Sequence, residues 1–152
     1  MDPCRPVRYA GAMPDTIFDR FPAPPAAKLL GWSLLELDPE AGTIALAFEG
    51  KPDFCNPAGH IQGGFLAAML DDTLGPALLA MTDGTLFGST IDLHVHYLRV
   101  VKPGRITTTG RVVKLGSRVA FMEGELFDAA GALCARATAS ASLGALRGTD
   151  PA

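Results

Sequence analysis

From Thr43 to Glu49 apolar positions recur every second residue, with Ile44, Leu46 and Phe48 separated by alanines. A period of two predicts a half-buried strand. The run Trp32 to Asp38 precedes it across the turn Pro39-Glu40-Ala41-Gly42, and the two together predict a β-hairpin. Further on the pattern changes to FLAAMLDDTLGPALLAM, from Phe65 to about Met81. These are good helix formers, apolar nearly all round, so the segment predicts one helix buried on most of its surface. Pro76 within it predicts a kink, or a break near Gly75. Four long strand-like runs follow, at 89–101, 105–115, 118–128 and 132–143, separated by KPG, LGS and AAG. Connections this short predict an antiparallel meander. Upstream, the prolines of FPAPPAAKLLG confine any helix there to a short turn ending at Gly31. KPDFCNPAGHIQGG reads as a loop.

The order is two strands, a buried helix, then four strands, which places the chain in the α+β class. A long curved antiparallel sheet is the only material able to wrap a single apolar helix. One helix cannot cover both faces of such a sheet, so a second copy of the chain is expected on the remaining face or edge. Residues 1–14 read as a flexible arm, 15–144 as one domain and 145–152 as a flexible tail.

Composition narrows the function. The 152 residues are 48% hydrophobic and 19% charged, which suits a folded domain with a sizeable core. A formal net charge of -3 argues against a nucleic-acid partner. Asp71 and Asp72 interrupt the apolar run that begins at Phe65, so a membrane span is not expected. The prolines of the N-terminus do not suit a signal peptide. Three widely spaced cysteines, Cys4, Cys55 and Cys134, form no CxxC pair, and a reducing cytoplasm is the simplest home.

Two features carry candidate chemistry. Gly63 and Gly64 open the helix, where backbone N–H groups and the helix dipole favour negative charge, although a glycine pair also serves as a plain turn. Asp71 has Ala67, Ala68, Leu74 and Gly75 as its neighbours one helical turn away. A carboxylate on that small, apolar face is expected to have a raised pKa unless it is paired, which suits a base or nucleophile. Asp72 points about 100° away around the helix and reads as a solvent-facing cap of the internal break. Asp92, His94 and His96 share a strand face by alternation, with Thr90 on the same side. An HxH pair can bind metal, but without a further ligand set these residues read as polar groups of an outer face, and no metal or other cofactor is expected. Cys55 reads as a small apolar thiol.

The stretch NPAGHIQGGFLAAMLDDTLG, with TIDLHVHYLRVVKPG and the last three strands, resembles the hotdog-fold acyl-CoA thioesterases of the phenylacetic-acid-degradation type. The resemblance spans residues 28–144. It implies a long curved antiparallel sheet around one central helix, a homo-oligomer built from dimers and most often a tetramer, and no metal. In that family an Asn in the loop, a Gly pair at the helix start and an acid two turns later form the active-site pattern, matched here by Asn56, Gly63, Gly64 and Asp71. Many members carry His just before the Gly pair, where this chain has Gln62, with His60 two residues earlier. The resemblance further implies that Asn56 orients the reactants and that Thr90, or its neighbour Ser89, helps hold the water. Gln62 can donate to the thioester oxygen or close the loop, and Asn56 before Pro57 is also a common turn starter.

Thioester hydrolysis needs donors for the oxyanion and a base or nucleophile. Asp71 lies seven residues beyond Gly64, about 10 Å along the helix. One helix therefore cannot readily bring both to a single carbon, and the site is expected to be shared between two subunits. Phe54, Phe65, Leu66 and Met69 are candidates for the acyl pocket, and the turn Gly116-Ser117-Arg118 for the phosphates of coenzyme A. The expected function is hydrolysis of an aromatic or medium-chain acyl-CoA. A non-catalytic acyl-CoA sensing module is the alternative, and a hydratase ranks below it because only His60 could serve.

Overall fold

The structure is a computed structural model that describes residues 15–146. The N-terminal arm expected over 1–14 and most of the expected tail lie outside the described residues.

After a 3-10 turn, Ile17–Arg20, a short helix α1 (Pro25–Leu30) starts on a proline and ends at Gly31 with φ 69°, a left-handed cap that glycine adopts without strain. The hairpin forms as expected from β1 (Ser33–Asp38) and β2 (Thr43–Gly50). Its turn is closed by Asp38 Oδ1, which accepts the Ala41 N–H at 2.9 Å.

The long helix α2 runs from Gly63 to Met81, two residues earlier than the apolar run suggests. Four strands follow: β3 (Leu86–Tyr97), β4 (Gly104–Leu115), β5 (Val119–Phe127) and β6 (Leu133–Ala145). Together they make one six-stranded antiparallel sheet around α2, the hotdog arrangement.

The expected meander is corrected at one point. The strand order is β1-β2-β4-β5-β6-β3, so β3 pairs with β6 and β4 pairs with β2. The chain between β3 and β4 is a crossing and not a hairpin turn. Val101, fully buried in that segment, accepts the Ile61 N–H at 2.8 Å, and Leu98 donates to Cys134 O. The segment is thus tied to the loop before α2 and to β6 instead of folding back on β3. As a result β3 is a free edge strand of twelve residues.

The core lies between α2 and the inner sheet face. Leu66, Met69, Leu70, Leu74 and Leu78 meet Leu46, Phe48, Ile106 and Leu126 there. Two buried hydroxyls sit in this layer. Thr73 Oγ1 donates to Met69 O or shares its proton with Thr108 Oγ1, each at 2.7 Å, so neither threonine is left unpaired. At Gly110 the sheet has no side chain to hold α2 away, and a Cβ there would stand 2.9 Å from Thr73 Cγ2 and 3.2 Å from Leu74 Cδ2.

By length and composition α2 could cross a membrane, contrary to the expectation drawn from its two aspartates. Here its apolar residues are consumed in the core of a globular sheet. Nor does Pro76 break it, since the helix is continuous to Met81. Proline removes the N–H that would bond the carbonyl four residues earlier, which is that of Asp72. The Trp32 indole N–H donates to this carbonyl at 3.3 Å, so the helix continues with its orphaned acceptor satisfied from outside.

Candidate active site

Asp71 is an exposed residue near the middle of α2. Its Oδ1 accepts the Thr90 hydroxyl at 2.9 Å, which leaves Oδ2 open to a reactant. The contact depends on a feature that alternation alone does not reveal. The pairing of β3 with β6 slips by one residue between Thr90 and Asp92, a β-bulge at Ile91. Before the bulge Gly88 and Thr90 face α2. After it Leu93, Val95 and Tyr97 do, each opposite one of the inward alanines Ala139, Ala137 and Ala135. Asp92, His94 and His96 therefore lie on the outer face, as expected, but Thr90 does not share it. Ser89, paired with Ser142, faces outward, so of these two neighbours only Thr90 meets Asp71.

The start of α2 is the second part of the site. Gln62 is its N-cap residue and makes no side-chain cap. Among the described residues nothing accepts from the N–H groups of Gly63 and Gly64, while Phe65 and Leu66 donate to Gln62 O. Two backbone donors at the positive end of a nineteen-residue helix are thus open to an anion. The Tyr97 hydroxyl donates to Gly63 O at 2.7 Å and pins this turn to the end of β3. A Cβ on Gly63 would fall 3.1 Å from the Tyr97 ring, so a larger residue there would crowd that approach. Beside it, Phe54 and Phe65 stack at 4.1 Å between centroids and form an apolar wall.

Asn56 works inside its own loop. Its Oδ1 accepts the N–H groups of Ala58 at 3.0 Å and His60 at 3.2 Å, a turn that holds the segment ahead of Gln62, and its amide N–H₂ remains as a donor. His60 is half-buried in that loop, bonded through its backbone to Asn56. Gly116, Ser117 and Arg118 join β4 to β5 at the Leu86 end of the sheet, where Leu143 N–H donates to Arg118 O. That is the opposite end from Gly63 and Tyr97 of the same chain.

Burial falls on the aspartate that was expected to face solvent. Asp72 is half-buried, and its Oδ2 is enclosed with no hydrogen-bond partner. Burial first, and then the neighbouring Asp71 carboxylate, raises its pKa from 3.8 to about 6. A carboxyl with a higher pKa in the folded than in the unfolded chain favours folding most at low pH. That advantage is lost as pH rises from about 4 through 6. At full strength the shift corresponds to about 3 kcal/mol, reduced to about 1–2 kcal/mol by solvent screening. We expect Asp72→Asn to stabilise the protein by that amount at pH 7.5 and to lose the advantage by pH 4. Urea unfolding at the two pH values measures it, and equal gains at both would refute the burial penalty.

An exposed carboxylate held by a hydroxyl, open N–H donors at a helix start and an apolar wall are groups of the kind that acyl transfer requires. A profile of the thioesterase superfamily matches residues 58–135, just over half of the 152 residues and inclusive of Gly63, Asp71 and Thr90. The chain belongs to the thioesterase superfamily and is a thioester hydrolase. It is 32% identical to a candidate thioesterase of Ralstonia eutropha, described as related to phenylacetic acid degradation. That likeness covers 83% of this chain and 95% of the other, with a TM-score of 0.78. A candidate esterase of Saccharolobus solfataricus is 32% identical over 66% of this chain and 71% of its own. The PaaI protein of the Escherichia coli phenylacetic acid degradation operon, at 19% identity, shares the fold with a TM-score of 0.69 over 76% of this chain and 81% of its own. The resemblance read from the sequence is borne out at the level of fold and family.

Proposed function

We propose that the protein hydrolyses acyl-CoA thioesters with an aromatic or medium-chain acyl group, in a site completed by a second copy of the chain. The observation that carries this reading is the Thr90–Asp71 hydrogen bond, which fixes a solvent-accessible carboxylate on a small-residue face of α2. Asp71 acts as general base or nucleophile. As base, it takes a proton from water while the oxygen attacks the thioester carbon. The carbonyl oxygen gains the negative charge, and its collapse expels the thiolate of coenzyme A. The open N–H groups of Gly63 and Gly64 suit that oxyanion, Gln62 and the Asn56 amide can orient the reactants, and the Phe54–Phe65 stack suits an apolar acyl group.

The second copy follows from distance. Asp71 and the N–H groups of its own helix are about 10 Å apart along the axis, while a reacting carbon needs both within about 3 Å. Support comes from the free edge of β3 and its continuation, where Ile91 is 62% and Val100 67% exposed beside Phe87, Tyr97 and Leu98. A long apolar edge of unpaired backbone groups invites strand pairing. Gly64, Ala68 and Asp71 are exposed along one side of α2, and small side chains there let a neighbouring helix approach closely.

Mixing inactive chains tests the sharing. Unfolding and co-refolding equal amounts of Asp71→Asn and Gly63→Val chains gives heterodimers in about half of all dimers by random pairing. Each then holds one intact site of two, so thiol release should return to about a quarter of wild type. Failure to regain any activity, with dimers present by size, refutes the shared site.

A further inference from the structure

We propose that His94 and His96 form a chelating site for a divalent late transition-metal ion on the outer face of β3, separate from the hydrolytic site. The two residues are next-but-one neighbours on a strand, so their side chains leave the same face side by side. Their Nε2 atoms are 3.2 Å apart, with ring centroids at 4.6 Å. A metal ion at the usual ~2.0–2.1 Å from each imidazole nitrogen would see them at an angle of about 100°, close to tetrahedral or octahedral cis positions. Both rings are exposed, so water is free to complete the coordination. Among the described residues no cluster of three or more potential ligand side chains exists, which makes this a two-nitrogen chelate and not a closed cage.

The surroundings favour a cation. His96 lines a groove of about 790 Å³ on the outer sheet face that also holds Glu36, Asp38, Glu123 and Glu125 against Arg111 and Arg136. Both guanidinium groups are already engaged, Arg111 with Glu123 at 2.6 Å and Arg136 with Glu125 at 2.9 Å. Arg136, the cross-strand neighbour of His96, is thus neutralised, and Asp92, two residues from His94 on the same outer face, adds a nearby carboxylate. Imidazole donors select Cu²⁺, Ni²⁺ and Zn²⁺ over Mg²⁺ and Ca²⁺. The bulge at Ile91 turns Thr90 to the helix side of the sheet, where Asp71 lies, so the ion bound on the outer face stays clear of the hydrolytic carboxylate.

Calorimetric titration of the full chain with NiCl₂ and with CuCl₂ tests the site. His94→Ala and His96→Ala should each weaken binding tenfold or more, whereas His60→Ala should bind as the wild type does. The Cu²⁺ electron paramagnetic resonance spectrum should show two equatorial nitrogen donors in the wild type and one in either variant. No saturable binding to the wild type, or binding that survives loss of either histidine because thiols or the groove carboxylates carry it, overturns the proposal.

Discussion

Asp71→Asn is expected to lower kcat for acyl-CoA hydrolysis by about a thousandfold, within the ~10²–10⁴ range of a positioned acid or base. That corresponds to about 4 kcal/mol of transition-state stabilisation. The substitution is a clean one, because the asparagine Oδ1 can still accept the Thr90 hydroxyl that Asp71 accepts at 2.9 Å. Side-chain volume and exposure are retained, and only the ability to take a proton or attack a carbonyl is lost. KM and thermal stability should therefore change little, and the loss should appear in kcat. A panel of aromatic and aliphatic acyl-CoAs, read by thiol release with the variant alongside, measures this and identifies the acyl class together. Retention of activity within tenfold of wild type on the best substrate would remove Asp71 from the chemistry.

A large effect on stability is expected at Gly110. Replacement by valine puts a Cβ 2.9 Å from Thr73 Cγ2, 3.2 Å from Leu74 Cδ2 and 3.4 Å from Ile44 Cγ2, with two more methyl groups beyond it. These neighbours have nowhere to retreat. Thr73 is fully buried and held to Thr108 at 2.7 Å, and Leu74 is in the centre of the helix–sheet layer. Overpacking of this kind costs about 3 kcal/mol or more. For a chain of this size that lowers Tm by about 6–12 °C. Thermal unfolding followed by circular dichroism measures it, and a Tm within 2 °C of wild type would show that α2 can move away from β4.

What could be read along the chain was whatever repeats locally. The hairpin declares itself through Ile44, Leu46 and Phe48, and α2 through a run too uniformly apolar to be anything but a core element. Asp71 and the Gly pair were singled out through their spacing. The placement of β3 beside β6 was not, because strand partners are chosen by long-range contacts such as Ile61 with Val101, and six residues of connection look alike whether they turn back or cross over. Thr90 was named, but on the wrong face, since one unpaired residue at Ile91 shifts the phase of every position before it. Asp72 was misjudged for a similar reason. Its burial is set by the three-dimensional surroundings of α2, and nothing in its immediate neighbours announces them.

The contact between Trp32 and the carbonyl that Pro76 leaves unbonded has a consequence for how the chain can change over generations. Two distant positions are tied in an order-dependent way. If residue 76 first becomes one with its own N–H, the carbonyl of Asp72 is satisfied within the helix and the indole is released from that duty, so later drift at position 32 gives up only packing. If Trp32 is lost first, an acceptor is stranded in a helix that proline will not let close. Substitution paths through the pair are thus passable in one direction and obstructed in the other.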